Sequence, residues 1–100
     1  KNYPVFFMGD FNSEPTDENI IALKKVMNDS REISEEKPFG PSGTFKDFKH
    51  NEAVTLLIDY IFISKNNSVK VLKYAVLSDS KNLKYPSDHL PVYIEIQIKK

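Results

Sequence analysis

Three short polar groups break or end apolar runs in this sequence, and their side chains are of the types that move protons. The first is Gly9-Asp10-Phe11-Asn12. In an extended chain residues two apart face the same way, so Asp10 and Asn12 project together, with Phe11 packed behind and Gly9 letting the backbone bend. As a bare tetrapeptide the same group also reads as an ordinary turn. The second is Asp59, set within Leu56-Leu57-Ile58-Asp59-Tyr60-Ile61-Phe62-Ile63. An unpaired carboxylate in an apolar sheet is costly, so Asp59 requires a partner. Two partners suit it: backbone amides, or a histidine that it orients for acid–base work. The third group is Ser87-Asp88-His89-Leu90-Pro91. Asp88 and His89 are adjacent and point in different directions, which suits two neighbouring subsites. The other histidine, His50, lies beside Lys49 and Asn51 in a charged stretch and reads as solvent-exposed.

These groups must be held by regular elements. Tyr3 to Met8 is apolar on both faces and rich in strand-favouring residues, so it reads as a buried central strand that stops at Gly9-Asp10. Pro15-Thr16-Asp17-Glu18 carries helix-start signals, with Thr16 as N-cap. Ile20, Leu23 and Met27 then share one stripe of a helix from about Asp17 to Asn28. Ser30 to Asn51 is charged and broken by Pro38, Gly40, Pro41 and Gly43. It reads as a long surface loop, of the kind that is often functional, with at most a short extended piece at Thr44-Phe45. Thr55 to Ser64 is the second strand and Asn66-Asn67 a turn. Val69 to Leu77 is the third strand, Ser78 to Leu90 a polar loop, and Val92 to Ile98 a last strand of period-two alternation, one face buried and one wet.

Length and composition set the frame. With 100 residues, 40% of them hydrophobic and 28% charged, the chain is one globular domain at most, with no internal repeat and no linker. The 14 basic and 14 acidic side chains cancel, which argues against a coating role on long nucleic acid. Arg31 is the only arginine, so phosphate chemistry must use a device other than guanidinium forks, such as a metal ion. Without cysteine there is no disulfide, thiolate zinc site or thiol nucleophile. No apolar run approaches a bilayer span, so the chain reads as soluble, and Lys1-Asn2-Tyr3-Pro4 reads as the interior of a longer protein.

Taken together and in order, Gly-Asp-Phe-Asn after an apolar strand, Ile-Asp-Tyr-Ile-Phe within another and Ser-Asp-His-Leu-Pro-Val leading into the last closely resemble the back-half motifs of the endonuclease/exonuclease/phosphatase family. Gly43-Thr44-Phe45 resembles that family's Thr-Phe segment, and the resemblance runs from about Tyr3 to Ile98. It implies an α+β fold, the C-terminal half of a DNase I-like two-layer β-sandwich with flanking helices, over residues 1–100. The implied chemistry is hydrolysis of a phosphate ester by an activated water with Mg2+ or Mn2+. Asp10 would match the aspartate that positions or deprotonates the water and touches the metal, and Asn12 the amide that holds a phosphoryl oxygen. Asp88 would match an acid near the metal and His89 the imidazole that contacts the phosphate. Asp59 would match the buried carboxylate that fixes the tautomer of His89.

The family's domain is more than twice this length, and its metal-binding glutamate and an early asparagine belong to a front half that this sequence does not contain. The resemblance therefore implies a piece that is inactive alone and whose partners are that missing half, a phosphate-ester substrate (nucleic acid, or a phosphorylated small molecule or lipid) and, through uncovered apolar surface, copies of itself. Two other functions compete: a non-catalytic sandwich fragment that mediates protein association, and a lipid- or inositol-phosphate phosphatase.

Overall fold

The computed structural model describes residues 3–45, 56–65, 68–78 and 89–99. Among them the order of elements is β1 (Phe6–Asp10), α1 (Glu18–Val26), β2 (Met27–Asp29), α2 (Ser30–Ile33), β3 (Asp59–Ser64), β4 (Val69–Val76) and β5 (Val92–Ile98). Two antiparallel sheets result, one ordered β1-β3-β2 and the other β4-β5. With few helices, this is the mixed architecture expected.

Strand alternation assigns the faces of the first sheet. Phe7 pairs with Phe62 and Gly9 with Tyr60, so Tyr60 and Phe62 face helix α1. They pack there with Ile20 and Leu57, and Phe11, Leu23 and Met27 close the cluster. Rings carry much of it: the Phe11 centroid lies 5.6 Å from both Tyr60 and Phe62. The opposite face carries Met8, Asp10, Asp59 and Ile61 by the same register. Met8, Asp59 and Ile61 share a gap of about 340 Å³ with Leu90 and Val92. On the second sheet Tyr74, Val76 and Leu90 form their own buried cluster with Val92 and Ile94.

Several sequence expectations are corrected. The first strand is not a buried central strand here: Val5, Phe7 and Met8 are each at least half exposed, and among the described residues β1 has only β3 beside it. Apolar residue types show that a strand requires cover, and they do not supply the cover. The N-cap position of helix α1 falls at Asp17 rather than Thr16, with the Asp17 carboxylate accepting from the Glu14 N–H instead of a helix amide, and the helix ends at Val26. Met27–Asp29 leaves the helical path to pair with Ser64, Ile63 and Phe62, because the ladder on β3 offers more than two further helical residues would. The expected surface loop after Ser30 is partly interior. It contains α2, capped by the Asp29 carboxylate accepting from the Arg31 N–H at 3.0 Å, and both Ser30 and Thr44 are fully buried.

Gly40 explains how the loop lies so close to the second sheet. Phe39 pairs with Ala75 through its N–H to Tyr74 O and the Val76 N–H to its own carbonyl, 2.9 Å each. The next residue has φ +91°, and a Cβ there would stand 2.1 Å from the Val76 carbonyl oxygen. Only glycine fits. The second strand is regular from Asp59, the third ends at Val76 rather than Leu77, and the last keeps its expected Val92–Ile98 limits. On that last strand alternation is partial, with Ile98 exposed. Thr55, the Asn66-Asn67 turn, residues 46–51 with His50, and residues 79–88 with Asp88 lie outside the described residues.

Candidate active site

Asp10 is the last residue of β1 and Asp59 the first of β3, and the two are direct cross-strand partners. Their side chains therefore stand on the same face. Like charges in that relation repel, so the pair calls for a cation or a proton donor between them. His89 supplies one. Its Nδ1 lies 2.8 Å from Asp59 Oδ2 and its Nε2 lies 3.5 Å from Asp10 Oδ2. An ionised carboxylate only accepts, so Nδ1 carries the hydrogen and donates to Asp59, which turns Nε2 toward Asp10. The longer Nε2 contact is an ion pair when the ring is charged and is too long for a strong hydrogen bond.

Exposure grades the three groups by task. The Asp59 side chain is 15% exposed, His89 29% and Asp10 47%. The less exposed carboxylate holds the ring, and the open one faces solvent. Phe45 closes another side, its ring edge-on to the imidazole at 5.1 Å. Asp10, Asn12, Phe45 and His89 line a cleft of about 260 Å³.

Asn12 reaches this cleft by a different route from the one expected. It is not extended: its φ is +50°, a left-handed conformation that asparagine tolerates. The turn is held by Asp10 Oδ1 accepting from the Asn12 N–H at 2.8 Å. The loop beyond is pinned from beneath by the Tyr60 hydroxyl, 2.8 Å from the Ser13 carbonyl and 3.1 Å from that of Leu57. Burial is the main influence raising the Tyr60 pKa, so the hydroxyl keeps its proton and remains a donor.

Thr44 is the residue to which sequence reasoning assigned no role. Its Oγ1 accepts from the N–H groups of Ile58 and Asp59, and its carbonyl accepts from the Leu90 N–H. The Thr-Phe dipeptide was visible in the sequence, but nothing in residue types indicates two amides of a strand more than ten residues away.

Ligand atoms of Asp10, Asp59 and His89 lie within 4.8 Å of one another. Asp59 Oδ2 and His89 Nδ1 are already engaged with each other, so the cleft-facing carboxylate of Asp10 is the oxygen donor that suits a hard divalent cation. Among the described residues, this one carboxylate with solvent makes a partial site.

A family model described as Endonuclease/Exonuclease/phosphatase family matches residues 1–89. No curated protein matches. Solved structures do. One is an endonuclease/exonuclease/phosphatase family protein from Bacteroides thetaiotaomicron, with 34% identity, TM-score 0.87, and coverage of 99% of this chain and 37% of that one. Another is a mannosyl-6-phosphatase from the same organism, with 36% identity, TM-score 0.81, and coverage of 96% and 38%. A third is a functionally unknown conserved protein from Enterococcus faecalis, with 34% identity, TM-score 0.84, and coverage of 97% and 37%. The chain thus spans a little over a third of the length of the structures it matches.

Proposed function

The chain belongs to the endonuclease/exonuclease/phosphatase family, and from that premise we propose that it carries part of the site of a metal-dependent phosphoesterase, which hydrolyses a phosphate ester with an activated water. The observation that supports this reading is His89 held between Asp59 and Asp10 at the wall of one cleft.

Asp59 holds the imidazole in one tautomer and turns Nε2 toward the cleft, where, with the ring charged, Nε2–H donates to a phosphoryl oxygen. Asp10, open to the cleft, orients the attacking water and receives its proton as the water oxygen bonds to phosphorus, while the P–O ester bond breaks and the leaving oxygen takes up a proton from solvent. The Asn12 amide donates to another phosphoryl oxygen. A bound divalent cation, Mg2+ or Mn2+, would supply neutralisation of charge on those oxygens, and Asp10 and Asp88 are the residues of this chain that would hold it. In this reading residues 1–100 are the C-terminal portion of the domain. Its full site takes a glutamate from the front half, and the 100 residues alone are inactive.

Two features favour a phosphorylated small molecule over a nucleic-acid polymer: the balance of 14 basic and 14 acidic side chains, and 36% identity to a mannosyl-6-phosphatase. The test is an assay of the whole protein that contains these residues, with sugar phosphates and with duplex DNA, in Mg2+ and in EDTA. Mg2+-dependent phosphate release from a sugar phosphate supports the reading, and absence of hydrolysis of every phosphate ester tried would overturn it. The exposed apolar strand β1 favours a second reading, in which the piece mediates association without catalysis.

A further inference from the structure

Asp59 and His89 must keep a separation of 2.8 Å although they enter from different sheets. Asp59 opens β3 of the three-stranded sheet, and His89 precedes β5 of the two-stranded one. Neither ladder fixes the distance between them. Residues 44 and 45 do connect the two. Phe45 bridges antiparallel to Leu56 on one side and to His89 on the other. Thr44 donates its N–H to the Leu56 carbonyl at 2.9 Å and accepts from the Leu90 N–H at 2.6 Å. Its hydroxyl oxygen accepts from both Ile58 N–H and Asp59 N–H at 3.1 Å.

We propose that Thr44 is a positioning residue, which sets the geometry of the Asp59–His89 pair by bonding at once to the strand that carries the carboxylate and to the backbone next to the histidine. Its catalytic consequence rests on the phosphoester-hydrolysis reading, whereas its effect on the pair does not. Threonine suits the task for two reasons. Its oxygen has two acceptor positions, and both are used by backbone amides. Its β-branch restricts χ1, so the oxygen stays aimed at those amides in a residue with no exposed surface. Valine keeps the shape and leaves two amides without an acceptor. Serine keeps the oxygen.

The experiment compares Thr44→Val and Thr44→Ser with the unmodified whole protein, measuring kcat and KM for a hydrolysed phosphate ester and the His89 Nδ1 proton resonance by NMR. In Thr44→Val, kcat should fall about 10- to 100-fold with KM little changed, as for supporting residues that orient a functional group. The downfield Nδ1 proton that reports a hydrogen bond to carboxylate should weaken in the same variant, and Thr44→Ser should restore both. A Thr44→Val protein with an unaltered Nδ1 signal overturns the proposal, as does a serine variant no better than valine. If the unmodified protein hydrolyses nothing, the phosphoesterase reading fails and the Nδ1 signal still decides the role of Thr44. If Thr44→Val does not fold, amide exchange in the unmodified protein decides: Ile58 and Asp59 should be protected, and exchange at the rate of open amides overturns the inference.

Discussion

His89 Nδ1 donates to Asp59 Oδ2 across 2.8 Å, and the carboxylate that receives it is the direct cross-strand neighbour of a second one, Asp10. The histidine is thereby oriented by a half-buried acid and faces an open one. Replacing Asp59 by Asn removes the charge and permits the wrong ring tautomer while preserving size. In the whole protein, turnover should fall about 100- to 10,000-fold, the range associated with acid–base groups. The melting temperature should change little. Equal loss of activity and stability in the Asp59→Asn protein would instead assign the carboxylate a structural role.

Cation binding should be weak in this chain and centred on Asp10. A hard divalent ion bound through one or two carboxylates keeps most of its waters and gains its remaining ligands from substrate phosphate. Calorimetric titration of the 100 residues with Mg2+ should give a shallow curve, further weakened in Asp10→Ala. Tight one-to-one binding would mean that these residues complete a site by themselves.

Gly40→Ala should be among the most damaging small substitutions. The new methyl group would meet the Val76 carbonyl oxygen at 2.1 Å, and that backbone is held in the β4–β5 ladder, where Val76 pairs with Val92. With the cost of φ +91° added, destabilisation should be about 2–4 kcal/mol, a large part of the roughly 5–15 kcal/mol that holds a domain together. Denaturant unfolding of the two proteins measures it directly, and a difference near zero would show that the loop does not approach β4 this closely.

Much of the fold was legible because residue type and period carried it. Val92 to Ile98 alternates, and its limits match β5. Asp59 was conspicuous because a carboxylate within an apolar strand demands a partner, and His89 is adjacent to it in space. What escaped depended on relations between segments. Met27 fits a helical stripe as well as a strand, and only the open ladder on β3 decides between them. Thr44 lies among turn formers and charges, so its burial could not be read from its neighbours in sequence. Asn12 reaches the cleft through the Asp10 turn, a local hydrogen bond that overrides strand alternation.

Asp29 should make stability pH-dependent. It is 4% exposed, and burial is the main influence raising its pKa above 3.8, outweighing the Arg31 N–H that it accepts. The folded state then binds the proton more tightly than the unfolded chain does. Its stabilising contribution is full below pH 3.8 and is lost as pH rises through the folded-state value. Asparagine keeps an oxygen for the Arg31 N–H and removes the buried charge. Asp29→Asn should therefore melt higher than the unmodified chain at neutral pH, with the gap closing as pH falls toward 4. A gap that widens on acidification would show the carboxylate to be stabilised in the fold.

Uncovered apolar surface should drive these 100 residues to associate. Val5 and Met8 are each 57% exposed and Phe7 51%, all at or beside the β1 edge that has no neighbour among the described residues. Phe7 and Met8 also open onto a groove of about 760 Å³ with Phe11, Leu23 and Val26. Exposed apolar area costs about 25 cal/mol per Å², and an unpaired strand adds a row of open hydrogen-bonding groups, so contact with another chain gains on both counts. Sedimentation should show mass rising with concentration, and Phe7→Lys should lower it by placing a charge on the exposed edge strand, beside Phe11 on the face that carries Tyr60 and Phe62. The front half of the domain, supplied as a separate chain, should compete for the same surface and dissolve the self-associated species. A monomer at every concentration, unaffected by Phe7→Lys, would mean that the strand is covered from within the chain.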